Sequence, residues 1–340
     1  MNMNPGIRLL VVTGLVAGLF ACGGGGGGGS SSASPTAPEA PSAGDLVDDT
    51  SGLGTRAAPM NSLADLEASS VVFADIQTIE AFVDTISNAV STQMTSFDYV
   101  SASGLAPCSI DSENLSLIEN IAEDGTGRRA IEFTNCVLNV DGMDYSLDGS
   151  VVSTITRAGD GEVLVRDVYD LAGIEFNADN APVSLVGSQA TRVEVSASKI
   201  IVTATTPVLE FTRQGRYVAI RGSVIEITEM NNQIHLYINS QIIGSAIDGY
   251  LNLKIPYSDK VIANVGATCP SSGRLSVIGD GRIDSAFGSS NNRGSGVEVF
   301  VNGVEARYDP ICSTGVPGVS DNLSATVNAT SGAPIRALAE

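Results

Sequence analysis

The chain has 340 residues, with 18 Lys and Arg against 38 Asp and Glu, a formal net charge of −20, and a single histidine. Only three of the basic residues are lysines (Lys199, Lys254, Lys260), which argues against nucleic acid as a partner and against a body lying flat on an anionic membrane. Trp is absent, aromatics make up 5%, and Val, Ile, Ser, Thr and Gly dominate, a composition suited to a pleated sheet with many tight turns.

In chain order, Leu9 to Phe20 form an apolar run of twelve residues behind one positive charge, Arg8. A membrane-spanning helix needs about 20 apolar residues, so this run, interrupted by Thr13, Gly14 and Gly18, fits the centre of an export signal better. Leu19-Phe20-Ala21-Cys22 follows, with a small residue directly before the cysteine and Gly23 directly after it. That order resembles the signal and lipobox of bacterial lipoproteins, and the likeness covers the first 22 residues. It implies that residues 1–21 are a signal peptide and that Cys22 is the lipid-modified mature N-terminus. Glycine rather than aspartate after the cysteine implies the outer membrane, with the body in the periplasm or at the cell surface. Several acyl chains on one residue exceed the two anchoring signals that stable attachment requires. An ordinary secretory signal is the alternative reading.

Residues 22–61 read as a Gly/Ser/Pro/Ala tether: Gly23–Gly29, Ser30–Ser32, then an Ala/Pro/Ser/Thr stretch. Low hydrophobicity predicts no packed core there, and its root-mean-square reach is about 35 Å. The seven glycines lack the Lys-Ser/Thr and strand–helix context of a phosphate loop.

Residues 62–312 read as the folded domain and 313–340 as a flexible tail. The spacing of Val72, Ile76, Ile79, Val83, Ile86, Val90, Met94 and Phe97 predicts one N-terminal amphipathic helix over about 71–97, with Asp75, Glu80 and Asp84 on its polar side. Three uses of that helix stand beside one another: cover for one face or end of a sheet, a lid over a lipid-binding cavity, or self-association through the apolar stripe.

From about Leu115 onward the chain reads as strands. Tyr145, Leu147, Val151 and Ile155 alternate with Ser146, Asp148, Ser150, Val152 and Thr154, a turn follows at Ala158–Gly161, and Ile247, Leu251, Leu253, Ile255 and Tyr257 alternate with Asp248, Tyr250, Asn252 and Lys254. Asn302-Gly303 between Val297–Val301 and Val304–Tyr308 predicts a two-residue type I′ hairpin. Between Tyr217 and Ile227 the apolar phase slips near Gly222, which predicts a bulge. With segments every 10–15 residues and no helix between them, the expected fold is mainly β: an antiparallel meander, curled, barrel-like or folded as a sandwich, with the N-terminal helix packed on it. Aromatic girdles are lacking, which argues against a membrane-embedded barrel.

Besides Cys22, four cysteines remain: Cys108, Cys136, Cys269 and Cys312. An even number in an exported protein reads as disulfides. Of three possible pairings, Cys108–Cys136 and Cys269–Cys312 are favoured because each brackets a hairpin-like segment, closing loops of 28 and 43 residues. Chain entropy gives each roughly 3–4 kcal/mol. A zinc site from the four thiolates lacks any Cys-x-x-Cys pair.

His235 lacks a nucleophile elbow and reads as a solvent-facing strand residue. Gly159-Asp160-Gly161, Gly279-Asp280-Gly281 and the Asp124 loop read as tight turns, without the alternating acidic ligands of a calcium loop. Arg213, Arg216 and Arg221 are expected to pair across strands with Glu210, Glu226 and Glu229. No catalytic, cofactor or metal site is expected. The functional expectation is a non-enzymatic envelope lipoprotein acting as a binding module, attached to the membrane through Cys22, for an envelope protein or glycan. The alternatives are a carrier of acyl chains, loosely similar in plan to the half-barrel lipoprotein receptors of the outer membrane, and third, an envelope hydrolase.

Overall fold

A computed structural model describes residues 52–91, 114–122, 125–140, 143–159, 161–176, 180–264, 270–288 and 296–309. The fold is mainly β, as expected. Two helices, α1 (Leu63–Ala68) and α2 (Ser70–Ser91), precede β1 (Leu115–Ile121), β2 (Gly127–Val140), β3 (Met143–Gly159), β4 (Glu162–Glu175), β5 (Ala181–Ser196), β6 (Lys199–Arg213) and β7 (Arg216–Met230). These are followed by β8 (Gln233–Gly244), β9 (Gly249–Ile255), β10 (Val261–Asn264), β11 (Gly273–Ile278), β12 (Arg282–Phe287), β13 (Val297–Val301) and β14 (Val304–Asp309). All fourteen strands join one antiparallel sheet in sequence order, except that β10 lies beside β8 in line with β9. The sheet does not close: β1 and β14 are its edges.

Strands β2 to β7 run 14–17 residues each, longer than the sequence spacing implied. Hairpin chemistry sets their register. Asn302 and Gly303 both take positive φ (49° and 83°), the backbone of the expected type I′ turn. Gln214-Gly215 and Asn231-Asn232 do the same between β6 and β7 and between β7 and β8. The expected bulge is present: the β7–β8 register shifts between Arg221 and Val224, with Gly222 at φ 54°. In β3, Gly149 sits at φ 117°, and a Cβ there would lie 2.0 Å from the Asp170 carbonyl oxygen. Only glycine lets the two backbones approach so closely while the sheet coils.

α2 crosses the strands at one end of the sheet. Its backbone approaches β2, β7 and the turn Ser245–Ile247 most closely. In between it reaches the sheet through side chains, with Phe82 4.6 Å from Tyr145 and 5.6 Å from Phe211 between ring centroids. A helix that is nearest the strands at its two ends and bridges the middle by large side chains lies as a chord across a concave surface, so the sheet curls around it. Val72, Ile79, Phe82, Val83 and Ile86 enter one continuous core with buried residues of β1 through β13. Ser91 is the last helical residue described; Met94 and Phe97 lie outside the described residues, as do residues 1–51 and 310–340.

Residues 52–61, counted with the tether on composition, lie on the sheet. Ala58 N–H donates to the Tyr250 carbonyl (2.9 Å) and Asp280 N–H to the Ala58 carbonyl (3.0 Å). Asp280 Oδ1 accepts from Met60 N–H (3.0 Å) and Asn61 Nδ2 (2.8 Å). The Gly279-Asp280-Gly281 turn therefore spends its carboxylate on anchoring the chain entry, and Met60 is fully buried there.

Candidate functional site

Three polar constellations stand out against the apolar interior. The first lies at the helix-covered end of the sheet. Arg213, the last residue of β6, makes a two-pronged ion pair with Glu175, the last residue of β4 (Nε–Oε2 2.7 Å, Nη2–Oε1 2.9 Å). Arg216, the first residue of β7, does the same with Asp75 of α2 (Nε–Oδ2 3.1 Å, Nη2–Oδ1 2.7 Å). Arg213 Nη1 also donates to Thr78 Oγ1 (3.4 Å), and Gln214 Nε2 to both oxygens of Glu175 (3.1 and 3.2 Å). Both carboxylates are buried. The Arg213 guanidinium holds Glu175 below its usual range although burial pushes the other way, and Arg213 and Arg216 are themselves pushed up by their carboxylate partners. Fork-to-fork geometry makes such pairs directional as well as strong, so this cluster fixes where α2 crosses the sheet.

That arrangement corrects two expectations. Arg213 and Arg216 do not pair with Glu210, Glu226 or Glu229; they sit at the strand ends facing inward, where Glu175 and the helix supply the carboxylates. Asp75, placed by periodicity on the polar side of the helix, is 4% exposed and faces Arg216. Only Arg221 keeps the expected company. Burial pushes the Glu210 carboxyl up, and the Arg221 charge opposes that shift.

The second constellation is a row of directly opposed residues on the core-facing side of five neighbouring strands: Glu119 (β1), Arg129 (β2), Ser153 (β3), Asp167 (β4) and Gln189 (β5). Arg129 pairs with Glu119 at the half-exposed edge. Further in, Ser153 Oγ donates to Asp167 Oδ1 (2.5 Å). Asp167 is buried, and desolvation pushes its carboxyl up to about 6, against the opposing Ser153 hydrogen bond and the Arg129 charge. Sequence reading missed this row, although a signal was present. Asp167 falls in phase with Val163, Val165, Tyr169 and Leu171, and Arg129 with Ile131 and Phe133, so polar residues occupy apolar-phase positions.

The third lies on the opposite, outer face of β6–β10. His235 stands there, as its phase indicated, but it is half-buried rather than open to solvent, and its Nε2 is buried without a hydrogen-bond partner. Burial first, then the charges of Lys260 and Lys199, lower its pKa. Lys260 Nζ pairs with Glu226 (2.7 Å) and lies 3.8 Å from the centroid of the Tyr257 ring, while Tyr257 meets Tyr237 edge-on at 5.5 Å.

Of the cysteines, Cys136 is fully buried on β2 and disulfide-bonded. Cys22, Cys108, Cys269 and Cys312 lie outside the described residues, as do Asp124 and Asp160. Among the described residues no His, Cys, Asp and Glu side chains cluster as a metal site, and no helix is long and apolar enough to cross a membrane. Compared with known proteins, the chain matches no family model, no curated protein and no solved structure.

Proposed function

We propose that the protein is a non-enzymatic binding module of the cell envelope, anchored at the outer membrane through lipid on Cys22 and presenting its sheet to an envelope protein or glycan. The observation that carries this reading is the burial of α2. Ile79, Phe82 and Ile86 are at most 1% exposed and pack into the same core as Tyr145, Leu147 and Phe211. An acyl carrier needs its concave surface free for ligand, whereas here a protein helix lies across it, held by the Asp75–Arg216 ion pair and the hydrogen bond from Arg213 to Thr78. The acidic groups inside are likewise committed. Asp75 and Glu175 are held by arginines and Asp167 by Ser153 within packed layers, rather than lining an open cleft as hydrolytic carboxylates do.

Native mass spectrometry of the mature chain tests the choice. The binding-module reading expects the polypeptide with its covalent modification at Cys22 and no further lipid. A stoichiometric, non-covalently retained phospholipid would replace it with the carrier reading.

A further inference from the structure

We propose that the outer face of β6–β10 binds an acidic sugar chain, with Tyr257 as the stacking surface and Lys199 and Lys254 as counter-charges. This rests on the binding-module reading and names its ligand class. The topology brings all three lysines of the chain to one face. Lys199 opens β6, and its charge acts on His235 of β8. Lys254 of β9 stands directly opposite Asn239 of β8, two residues from Tyr237 on the same face. Lys260 lies against Tyr257. In a chain of net charge −20 this is a notable concentration of lysine, set against Glu226 and Asp259. Glu226 is taken by Lys260, so Lys199 and Lys254 remain exposed cations with no ion pair to a described residue.

Tyr257 supplies the second half of the argument. The strand that would run straight from β9 into β10 is interrupted at Tyr257–Asp259 by one short 3-10 turn, which carries Tyr257 out of the sheet. Tyr257 is 66% exposed although Tyr237 buttresses its ring from the side. An apolar ring held in water by its own support offers a π-face to the C–H face of a sugar ring. Asn239 and Lys254 beside it are exposed hydrogen-bonding groups for hydroxyl and carboxylate oxygens.

The test is affinity electrophoresis of the detergent-solubilised mature chain through gels containing polygalacturonate or dextran, with phosphatidylglycerol vesicle flotation alongside. Retardation by polygalacturonate but not by dextran is expected. Tyr257→Ala should weaken it at least about tenfold, and the double variant Lys199→Gln/Lys254→Gln should weaken it and flatten its salt dependence. Equal mobility in both gels, retardation untouched by Tyr257→Ala, or vesicle binding without polysaccharide binding would overturn the proposal. Failure to bind polysaccharide in a protein that carries no phospholipid refutes this ligand alone. Co-purifying phospholipid refutes the reading beneath it.

Discussion

Replacing Asp167 with asparagine should stabilise the protein at neutral pH and change it much less in mild acid. Asp167 sits among buried residues with one hydrogen bond, from Ser153, and its carboxyl is pushed from 3.8 up to about 6. The folded state therefore holds a proton that the unfolded chain has already released. That difference favours folding below the unfolded value and is lost as pH rises toward and through the folded one. Each pKa unit is worth 1.36 kcal/mol, so the ionised carboxylate costs about 3 kcal/mol at pH 7.5, of which about 2 kcal/mol accrue above pH 4.5. Asparagine keeps an acceptor for Ser153 and removes the charge, while its extra amide donor gives back about 1 kcal/mol. Urea unfolding of wild type and Asp167→Asn at pH 4.5 and 7.5 reads the effect as a difference between variants, which cancels other titrations such as that of Glu175. The expected outcome is a gain of about 2 kcal/mol for the variant at pH 7.5, shrinking by about the same amount at pH 4.5. A variant equally destabilised at both pH values would show that Asp167 is needed as a carboxylate and would refute the reasoning.

Four further outcomes follow from the structure. Arg213→Met should cost about 3–5 kcal/mol by leaving Glu175 buried without its guanidinium, and the double variant Arg213→Met/Glu175→Gln should recover part of that loss in thermal unfolding; a double variant worse than the single one would contradict it. Glu175, held low in the folded state, stabilises the protein above its ordinary value of 4.5 and loses that contribution as pH falls below it, so Glu175→Gln should flatten the acid limb of the stability profile. Gly149→Ala should prevent accumulation of folded protein, whereas Gly222→Ala, with nothing within 4 Å of its new methyl, should cost only about 1–2 kcal/mol of left-handed backbone strain in chemical denaturation. Peptide mapping without reduction should join Cys136 to Cys108, and a Cys136 peptide linked to Cys269 or Cys312 would discard the pairing inferred from bracketed hairpins.

The sequence disclosed the parts of this fold that local chemistry decides. Asn302-Gly303 demanded a type I′ hairpin because both residues tolerate positive φ, and the phase slip around Gly222 marked the bulge. The α2 stripe at three- and four-residue spacing marked a buried helical face. What stayed hidden is non-local. Glu119, Arg129, Ser153, Asp167 and Gln189 share one level of the sheet only because of the lengths of the hairpins between them, and no fixed spacing announces it. Arg213 and Arg216 looked like a surface cluster because charge in a strand is normally solvated. At a strand end roofed by a helix, however, the nearest carboxylates are Glu175 and Asp75 rather than a neighbour in the sequence. Alternation alone makes Tyr257 the last apolar residue of a strand; the turn that expels it shows only in the placement of β10 in line with β9.

The central claim is that α2 is a permanent part of the core and not a lid. Amide hydrogen exchange over Val72–Ile86 of the mature chain, with and without phospholipid micelles, tests it most directly. Protection matching that of β3–β7 and unchanged by lipid is the predicted result. Exchange far faster than the sheet's, or a helix that loses protection when lipid is added, would contradict it.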